Sequence, residues 1–417
     1  MKNTTPVRCI LLCVTLLLSF ASITAAQTIL VEAEAFTNHG GWVVDQQFMD
    51  QMGSPFLLAH GLGKPVKDAV TKVTFPAAGT YRVWIRTRDW VAPWKAQGAP
   101  GRFQVLVNGA PLNAVFGTEG AAWHWQQGGS IRITNLQNTV SLHDLTGFEG
   151  RCDAIIFTKD TNFVPPNAGG QMAAFRRQAL GLGSRPKDAG NFDLVVVGGG
   201  MPGSCAAVSA ARLGLKVALI QNRPVLGGNN SSEVRVHLGG KINLPPYPAI
   251  GDIVKELDPG HQGNARPPQF YDDDRKMSVV QAEKNIHLFV NMHAFKVQKQ
   301  GDRIVAVIAK HIINSGELSF RAPLFVDCTG DGTLGYLAGA DYRMGRESKE
   351  QTGESMAPDK PDKMTMGASV MWYSAKSDQP ESFPDCPWAL QFTEQSCQQA
   401  TRGEWNWEAG LHRDQIN

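Results

Sequence analysis

A glycine-rich turn between a short apolar strand and an alanine-rich helix constrains this chain more than any other feature. Residues 193–197 form an apolar, β-branched run, and Gly198-Gly199-Gly200-Met201-Pro202-Gly203 follows it directly. Residues 204–213 have a helical composition, and a second apolar strand is predicted at 216–220. This order of strand, turn, helix and strand predicts a Rossmann-type unit whose turn binds the pyrophosphate of a dinucleotide.

The glycines of the turn have different physical tasks. Gly198 is expected to make the tight turn, Gly200 to let a pyrophosphate approach the backbone, and Gly203 to let the helix pack against the strand. The start of the helix offers free N–H groups and a partial positive charge to phosphates. Gly199 and Pro202 complete the predicted contact. The alternative is a glycine-rich turn that binds nothing.

The end of the second strand departs from the usual pattern. A carboxylate at this position would bind the ribose hydroxyls of the adenosine. Here the position is Gln221, followed by Asn222. Glutamine donates and accepts hydrogen bonds but carries no charge to strengthen them. We therefore predict that Gln221 and Asn222 bind the ribose without charge assistance.

Two later elements distinguish between dinucleotides. A glycine pair, Gly227-Gly228, follows the second strand, and an apolar strand at 324–327 leads into Thr329-Gly330-Asp331-Gly332. They resemble the second pyrophosphate contact and the return strand of flavoproteins with the glutathione-reductase-like fold. The resemblance implies FAD rather than NAD, with Gly227, Gly228, Gly330 and Asp331 among its contacts. Between the two elements, alternating residues predict a small β-meander with strands at 289–296, 303–309 and 317–320.

As a whole, residues 191–417 resemble the secreted FAD-dependent oxidoreductase family, a distant relative of the flavin subunit of heterodisulfide reductases. Segments 227–235 and 339–346 carry this likeness, which implies a redox enzyme. The relatives' iron–sulfur clusters do not carry over, because the chain contains no C-x-x-C. Flavoproteins of this fold usually return to the cofactor near their C-terminus. Only about 85 residues follow Gly332, so we expect an incomplete chain that lacks part of the substrate pocket.

Two residues after the glycine pair are candidates for catalysis. Oxidation of an alcohol by a flavin needs a base that takes the hydroxyl proton while hydride leaves. His237 is the candidate base, and Arg235 is placed to steady negative charge on the reduced flavin. The alternative is that His237 is a hydrogen-bonded structural residue.

The first 26 residues are typical of a secretory signal peptide. Lys2 and Arg8 precede an apolar stretch at 9–20, and small residues surround Ala26, after which we predict cleavage. The mature protein is therefore expected in the periplasm or outside the cell. No apolar stretch reaches the ~18 residues of a membrane span. Lys and Arg number 40 against 38 Asp and Glu, which argues against nucleic acid as a partner.

Residues 27–160 are predicted to be all β. Residues 81–86 and 103–107 alternate at period two, and Asn108-Gly109 after the latter favours a tight hairpin. Short strands with Gly-rich turns are typical of a β-sandwich or jelly roll. Residues 161–190 are rich in Pro and Gly and read as a linker with a short helix at about 171–180. The predicted fold class is thus multidomain: a β-sandwich followed by an α/β Rossmann-type FAD domain at 191–417.

The N-terminal part resembles carbohydrate-binding modules of the jelly-roll type. Residues 31–35, 80–84 and 152–155 carry the likeness. It implies a structural Ca²⁺ held by Glu32, Glu34 and Asp153, for which surface carboxylates are the alternative. Trp84 is expected in the core, whereas Trp90 and Trp94, in a loop, are either sugar-stacking platforms or packed rings.

Five cysteines remain after the leader, and their odd number and scatter do not form a disulfide framework. Cys386 and Cys397 either bridge locally or stay free.

The resulting hypothesis is an exported FAD-dependent oxidoreductase that transfers hydride to or from a small organic substrate such as a sugar. The alternatives are a non-catalytic glycan-binding protein with a degenerate flavin domain, and an NAD enzyme. The sequence names neither the substrate nor the electron acceptor.

Overall fold

A computed structural model describes residues 28–258, 260, 263–365, 377–391, 393 and 395. The predicted signal peptide and Cys397 lie outside the described residues. Among the residues described, no helix combines the length and apolarity that crossing a bilayer requires.

Residues 28–158, here called the N-terminal β region, form three sheets of antiparallel neighbours with orders β1-β11-β5-β8, β10-β3-β2 and β4-β9-β6-β7. One helical turn, α1 at Met49–Met52, interrupts them. The strands are β1 Thr28–Glu32, β2 Val43–Asp45, β3 Phe56–His60, β4 Ala69–Thr74, β5 Gly79–Thr87, β6 Phe103–Val107, β7 Ala110–Pro111, β8 His124–Ile133, β9 Gln137–Asp144, β10 Phe148–Cys152 and β11 Ala154–Thr158.

The core of this region lies between facing sheets, as the alternating strands predict. Tyr81 and Val83 of β5 pack in one buried cluster with Phe103 and Val105 of β6. The hairpin predicted at Asn108-Gly109 is confirmed: both residues have positive φ, and Val107 pairs with Ala110 across it. The opposite face of β5 carries Trp84, which is buried as expected.

A helix outside the N-terminal β region covers that face. This helix, α2 at Gly169–Ala179, is placed nearly where the sequence predicts one, and its Phe175 packs near Trp84 and Ile156. A strand follows at Lys187–Asn191, β12, which the polar sequence does not predict. It pairs in parallel with β18, Glu317–Arg321. The residues between the two parts of the chain therefore pack against both.

The C-terminal part is built on a four-stranded parallel sheet of order β15-β14-β13-β19. A second sheet, of order β12-β18-β17-β16, lies against it. The remaining elements are β13 Leu194–Val197, α3 Met201–Arg212, β14 Val217–Ile220, α4 Asp252–Leu257, α5 Asp273–Ala282, β15 Ile286–Phe289, β16 Met292–Gln300, β17 Arg303–His311, β19 Leu324–Asp327, α6 Thr333–Ala338 and α7 Lys349–Thr352.

β13 is apolar throughout because both of its faces are buried. Val196 faces α3 and its neighbours, whereas Val195 and Val197 pack against the second sheet. A strand covered on both faces carries no polar alternation. The expected strand at 289–296 is wrong in one respect: it breaks at Asn291, whose φ is 58°. The residues before the break join the parallel sheet, and those after it join the meander.

Candidate functional site

Three loops meet at the carboxyl edge of the parallel sheet, where open α/β sheets bind their ligands. They follow β13, β14 and β19 and together line a cavity of about 610 Å³. Of the predicted cofactor contacts, the structure places around this cavity Gly198, Gly200, Pro202, Gln221, Asn222, Gly227, Gly228, Gly330 and Asp331.

The first loop admits only glycine at its two ends. Gly198 has a φ of 101°, and a Cβ there would lie 2.4 Å from the carbonyl oxygen of Cys328. A Cβ at Gly203 would lie 1.7 Å from the carbonyl oxygen of Gly198. At Gly200, by contrast, the nearest atom would be 3.7 Å away, so its missing side chain leaves open space at the start of α3. The turn thus presents bare backbone to the cavity.

The glycine-rich turn after β13 and the glycine pair Gly227-Gly228 after β14 are hydrogen-bonded to each other. The amide of Gly227 donates to the carbonyl oxygen of Gly199 at 2.9 Å, and Gly200 and Gly227 form an isolated parallel bridge. A Cβ on Gly228 would lie 3.1 Å from the Cα of Gly200. The loops after β13 and β14 therefore form one continuous backbone surface.

Gln221 has a task that the sequence does not reveal. Its Oε1 accepts from the amide of Gly199 at 2.9 Å, and its Nε2 donates to the carbonyl oxygen of Val225 at 2.9 Å. The buried amide thus holds the two glycine loops together. Only a side chain with both a donor and an acceptor does this, which gives a reason for glutamine instead of a carboxylate. A ribose contact of Gln221 stays a prediction.

The third loop is shaped by Asp327 at the end of β19. Its carboxylate accepts from the amides of Thr329 at 3.0 Å and Gly335 at 2.9 Å. The hydroxyl oxygen of Thr329 in turn accepts from the amide of Thr333 at 2.7 Å. These bonds fix the turn that places Gly330 and Asp331 at the cavity.

The arrangement fits a dinucleotide. The N-terminus of the 12-residue helix α3 supplies amides and positive potential for phosphates, next to glycines that let them approach. Asn230 lines the same cavity, and its Oδ1 is buried without a hydrogen-bond partner among the described residues. A buried acceptor of this kind suits a hydroxyl or N–H of a bound ligand.

A sequence profile described as FAD dependent oxidoreductase matches residues 193–415, over half of the chain. The chain belongs to the FAD dependent oxidoreductase family. The match covers all three loops of the cavity. The description of this family names an oxidoreductase and FAD as its cofactor.

Relatives of this FAD dependent oxidoreductase match over short segments. The soluble pyridine nucleotide transhydrogenase of Ectopseudomonas mendocina (strain ymp) is 54% identical over 67 residues, 16% of this chain and 12% of the relative. The digeranylgeranylglycerophospholipid reductase of Picrophilus torridus is 31% identical over 172 residues, 36% of this chain and 42% of the relative. The chain thus spans less than half of either relative's length.

A solved structure, the glycerol-3-phosphate dehydrogenase of Bacillus halodurans complexed with FAD, is also similar to this FAD dependent oxidoreductase. It is 17% identical, with a TM-score of 0.26, and covers 36% of this chain and 37% of its own. At this score the likeness carries no conclusion about substrate.

The two predicted catalytic residues lie beside the cavity's lining. Val234 and Leu238 are among the described residues that line it, and His237 and Arg235 are not. The Nδ1 of His237 lies 2.7 Å from Oδ1 of Asn264, which also accepts from the backbone amide of His237 at 3.1 Å. The carbonyl oxygen of Arg235 accepts from the hydroxyl of Tyr271 at 2.6 Å.

The cavity is also lined by a charged pair that is not among the predicted site residues. Glu233 and Arg223 stand 3.6 Å apart, between Oε2 and Nε. Burial raises the pKa of the Glu233 carboxyl above its ordinary value, and Arg223 only partly offsets this. Its position in the sequence could have indicated Glu233 as a site residue, since it lies between the glycine pair Gly227-Gly228 and His237.

The three predicted calcium ligands come together in the N-terminal β region, but arginines accompany them. Asp153 Oδ2 lies 2.8 Å from Nη1 of Arg86 and 2.6 Å from Nη2 of Arg176. Glu32 lies 3.3 Å from Nε of Arg176. The described part of the chain holds no group of three or more His, Cys, Asp or Glu side chains placed for a metal ion. The predicted calcium site is therefore not supported, because guanidinium groups supply the positive charge.

The loop tryptophans have different surroundings. Trp94 is 70% exposed. Trp90 packs against Trp388, with ring centroids 5.1 Å apart, and its Nε1 donates to the carbonyl oxygen of Phe148. Of the two readings for these rings, the packed one describes Trp90. Among the described residues, the thiol of Cys386 forms no disulfide, and its predicted partner Cys397 lies outside them.

Proposed function

We propose that this FAD-dependent oxidoreductase is exported and transfers hydride between its flavin and a small organic substrate. The observation that carries the proposal is the cavity in which Gly200 and Gly228 face each other without side chains. FAD supplies the two-electron centre when bound, and the protein supplies binding, orientation and proton transfer.

The glycine loops bind the cofactor's phosphates in this proposal. The amides at the start of α3 donate to phosphate oxygens, and Gly200 and Gly228 allow close approach from two sides. Gln221 keeps the loops in register through its two hydrogen bonds. Because these donors are held by backbone geometry, little reorganisation is needed on binding.

A proton acceptor completes the reaction. When an alcohol is oxidised to a carbonyl, its carbon loses a hydride and its oxygen loses a proton, so a base must take that proton. Glu233 is favoured by its place on the cavity wall and by the raised pKa of its carboxyl. His237 is the second candidate: its Nδ1 lies 2.7 Å from Oδ1 of Asn264, and the residue is next to Leu238 of the cavity wall.

A sugar or glycan-derived compound is the proposed substrate class. The exposed ring of Trp94 supports it, since an aromatic face can stack on the apolar face of a sugar. Export is supported by the leader-like pattern of residues 1–26.

Anaerobic reduction of the bound flavin tests the reaction class. The purified full chain is mixed with sugars and polyols without oxygen, and we expect bleaching of the yellow flavin absorbance by at least one of them. A flavin-loaded protein that no alcohol or aldehyde in such a set converts would contradict the proposed chemistry. The mass of the mature protein tests export separately: a chain beginning at Gln27 in the extracytoplasmic fraction is expected, and an uncleaved cytoplasmic chain would refute export.

Single substitutions test the base. We expect Glu233→Gln to slow flavin reduction about 100-fold or more and to remove the acidic limb of its pH profile, because the amide cannot take a proton. His237→Gln is the matched variant. A large loss in His237→Gln with a normal profile in Glu233→Gln would assign the base to His237 instead.

A further inference from the structure

The adenosine end of the cavity is identified by the second strand of the Rossmann unit. The residue at the end of this strand faces the ribose in such sites. Here β14 ends at Ile220, and Gln221 and Asn222 follow. The amide of Met292 donates to the carbonyl oxygen of Gln221 at 2.8 Å, which brings His293 beside the same end. Asn222 and His293 both line the cavity.

The N-terminal β region reaches both of these residues. The Nε2 of Gln46 donates to the carbonyl oxygen of Asn222 at 2.7 Å. The Oδ1 of Asp50, on α1, lies 3.4 Å from Nε2 of His293. Gln46 and Asp50 are thus four residues apart in the chain. Their partners, Asn222 and His293, lie at the adenosine end of the cavity.

A third contact fixes the end of the same segment. The Nζ of Lys310, on β17, donates to the carbonyl oxygen of Gly53 at 2.9 Å. Burial lowers the pKa of the Lys310 ammonium from its ordinary value, and the nearby Glu317 carboxylate counteracts this. The segment from Gln46 to Gly53 is thus attached at three points.

The attached segment also encloses space. A second cavity of about 620 Å³ lies between it and the flavin region, lined by Met49 and Gly53 on one side and by Phe295 and Tyr336 on the other. The two cavities share His293, Ala294, Asp331 and Thr333. The two cavities therefore adjoin at these residues, and His293 places one part of the junction beside Gln221.

We propose that Gln46 and Asp50 of the N-terminal β region support the FAD site and strengthen binding of the adenosine half of FAD. Gln46 holds the Asn222 backbone, and Asp50 orients the His293 ring, so the residues that meet the adenosine are pre-positioned. Burial lowers the pKa of the His293 imidazole, and the nearby Asp50 carboxylate opposes this shift. These are positioning residues, because they act through Asn222 and His293.

This inference rests on FAD binding and not on the proposed substrate. It differs from simple docking of two domains, because docking alone leaves the cofactor affinity unchanged when one contact is lost. ADP is an informative probe beside FAD, since it carries the adenosine and both phosphates but no isoalloxazine.

Titration of the full-length apoprotein with FAD and with ADP tests the proposal. We expect Gln46→Met, which keeps the side chain's length and removes its donor, to weaken both ligands by the same factor, about fivefold to tenfold. Asp50→Asn and Asp50→Ala are expected to show a graded loss. Gln51→Ala is the control, because Gln51 is exposed on the same helical turn.

Thermal unfolding of each apoprotein separates local from global effects. Unchanged FAD and ADP affinities in folded Gln46→Met and Asp50→Ala variants would overturn the proposal, as would weakened FAD with unchanged ADP. If Asp50→Ala does not fold, Gln46→Met and Asp50→Asn decide the question by the same criterion. Flavin absorbance of wild type shows independently whether FAD binds, so failure of the inference is distinguishable from failure of the enzyme.

Discussion

Arg176 donates from Nη2 to Oδ2 of Asp153 at 2.6 Å, and thereby ties α2 to the N-terminal β region. Both side chains are almost completely buried. The same guanidinium donates from Nη1 to the carbonyl oxygen of Met52, the last residue of α1. Arg176 thus joins segment 46–53 to a group of buried carboxylates, here called the acidic centre, formed by Glu32, Glu34 and Asp153.

Removal of this arginine is expected to be costly. Arg176→Met leaves Asp153 and Glu32 with less positive charge in a buried place, and breaking a buried ion pair on one side costs about 3–5 kcal/mol. Urea unfolding followed by tryptophan fluorescence measures the loss. Arg177→Met is the matched control on the same helix, where the partly exposed pair with Glu317 predicts about 1 kcal/mol or less. Equal losses in the two variants would contradict the role of Arg176.

The acidic centre also predicts a pH dependence. Burial raises the pKa of the Glu32 carboxyl from 4.5 to about 7, with Arg176 opposing the shift. The folded protein therefore binds a proton that the unfolded chain releases, so the free energy of unfolding falls as pH rises from about 4.5 to about 7. The slope approaches about 1.4 kcal/mol per pH unit for each such proton.

Glu32→Gln isolates this contribution. We expect the variant to lose part of the decrease in unfolding free energy between these pH values, because the amide does not titrate. Glu119→Gln, at an exposed position of the same region, is the control. Parallel pH profiles for Glu32→Gln and wild type would refute the assignment.

Gly200 separates cofactor binding from folding. A Cβ at this position meets no atom closer than 3.7 Å, and the backbone φ of −62° accepts any residue. Gly200→Val should therefore fold but lose bound flavin, because the side chain fills the space that the phosphates approach. Flavin content after purification and the thermal unfolding temperature check both parts. Gly183→Ala serves as the control. A Gly200→Val protein that keeps its full flavin content would show that the cofactor's phosphates do not approach the backbone at Gly200.

Gln221→Glu is expected to weaken FAD binding, although Rossmann-type sites usually have a carboxylate at this position. A carboxylate here would suit a ribose, yet it loses the donor to the Val225 carbonyl and places negative charge beside that oxygen. We expect a loss of about 1–3 kcal/mol in apoprotein stability and weaker FAD binding. Tighter FAD binding with unchanged stability would show that Gln221 contacts the ribose instead of joining the loops.

Local sequence patterns predict much of this protein. The turn at 198–203 is recognisable because the backbone itself demands glycine: Gly198 has positive φ, and Gly203 lies against a carbonyl oxygen. The strand β6 alternates because one of its faces is buried. Such constraints act over a few residues, so they are visible in the sequence without knowledge of the rest of the fold.

Partners distant along the chain are decided by tertiary structure. Nothing near Gln221 indicates that its amide joins Gly199 to Val225, and nothing near Gln46 points to Asn222, 176 residues away. The carboxylates that suggest calcium meet Arg176 only because α2 packs on the β region. Periodicity shows which face of an element is buried, but the identity of a buried polar group's partner depends on which surfaces the folded chain brings together.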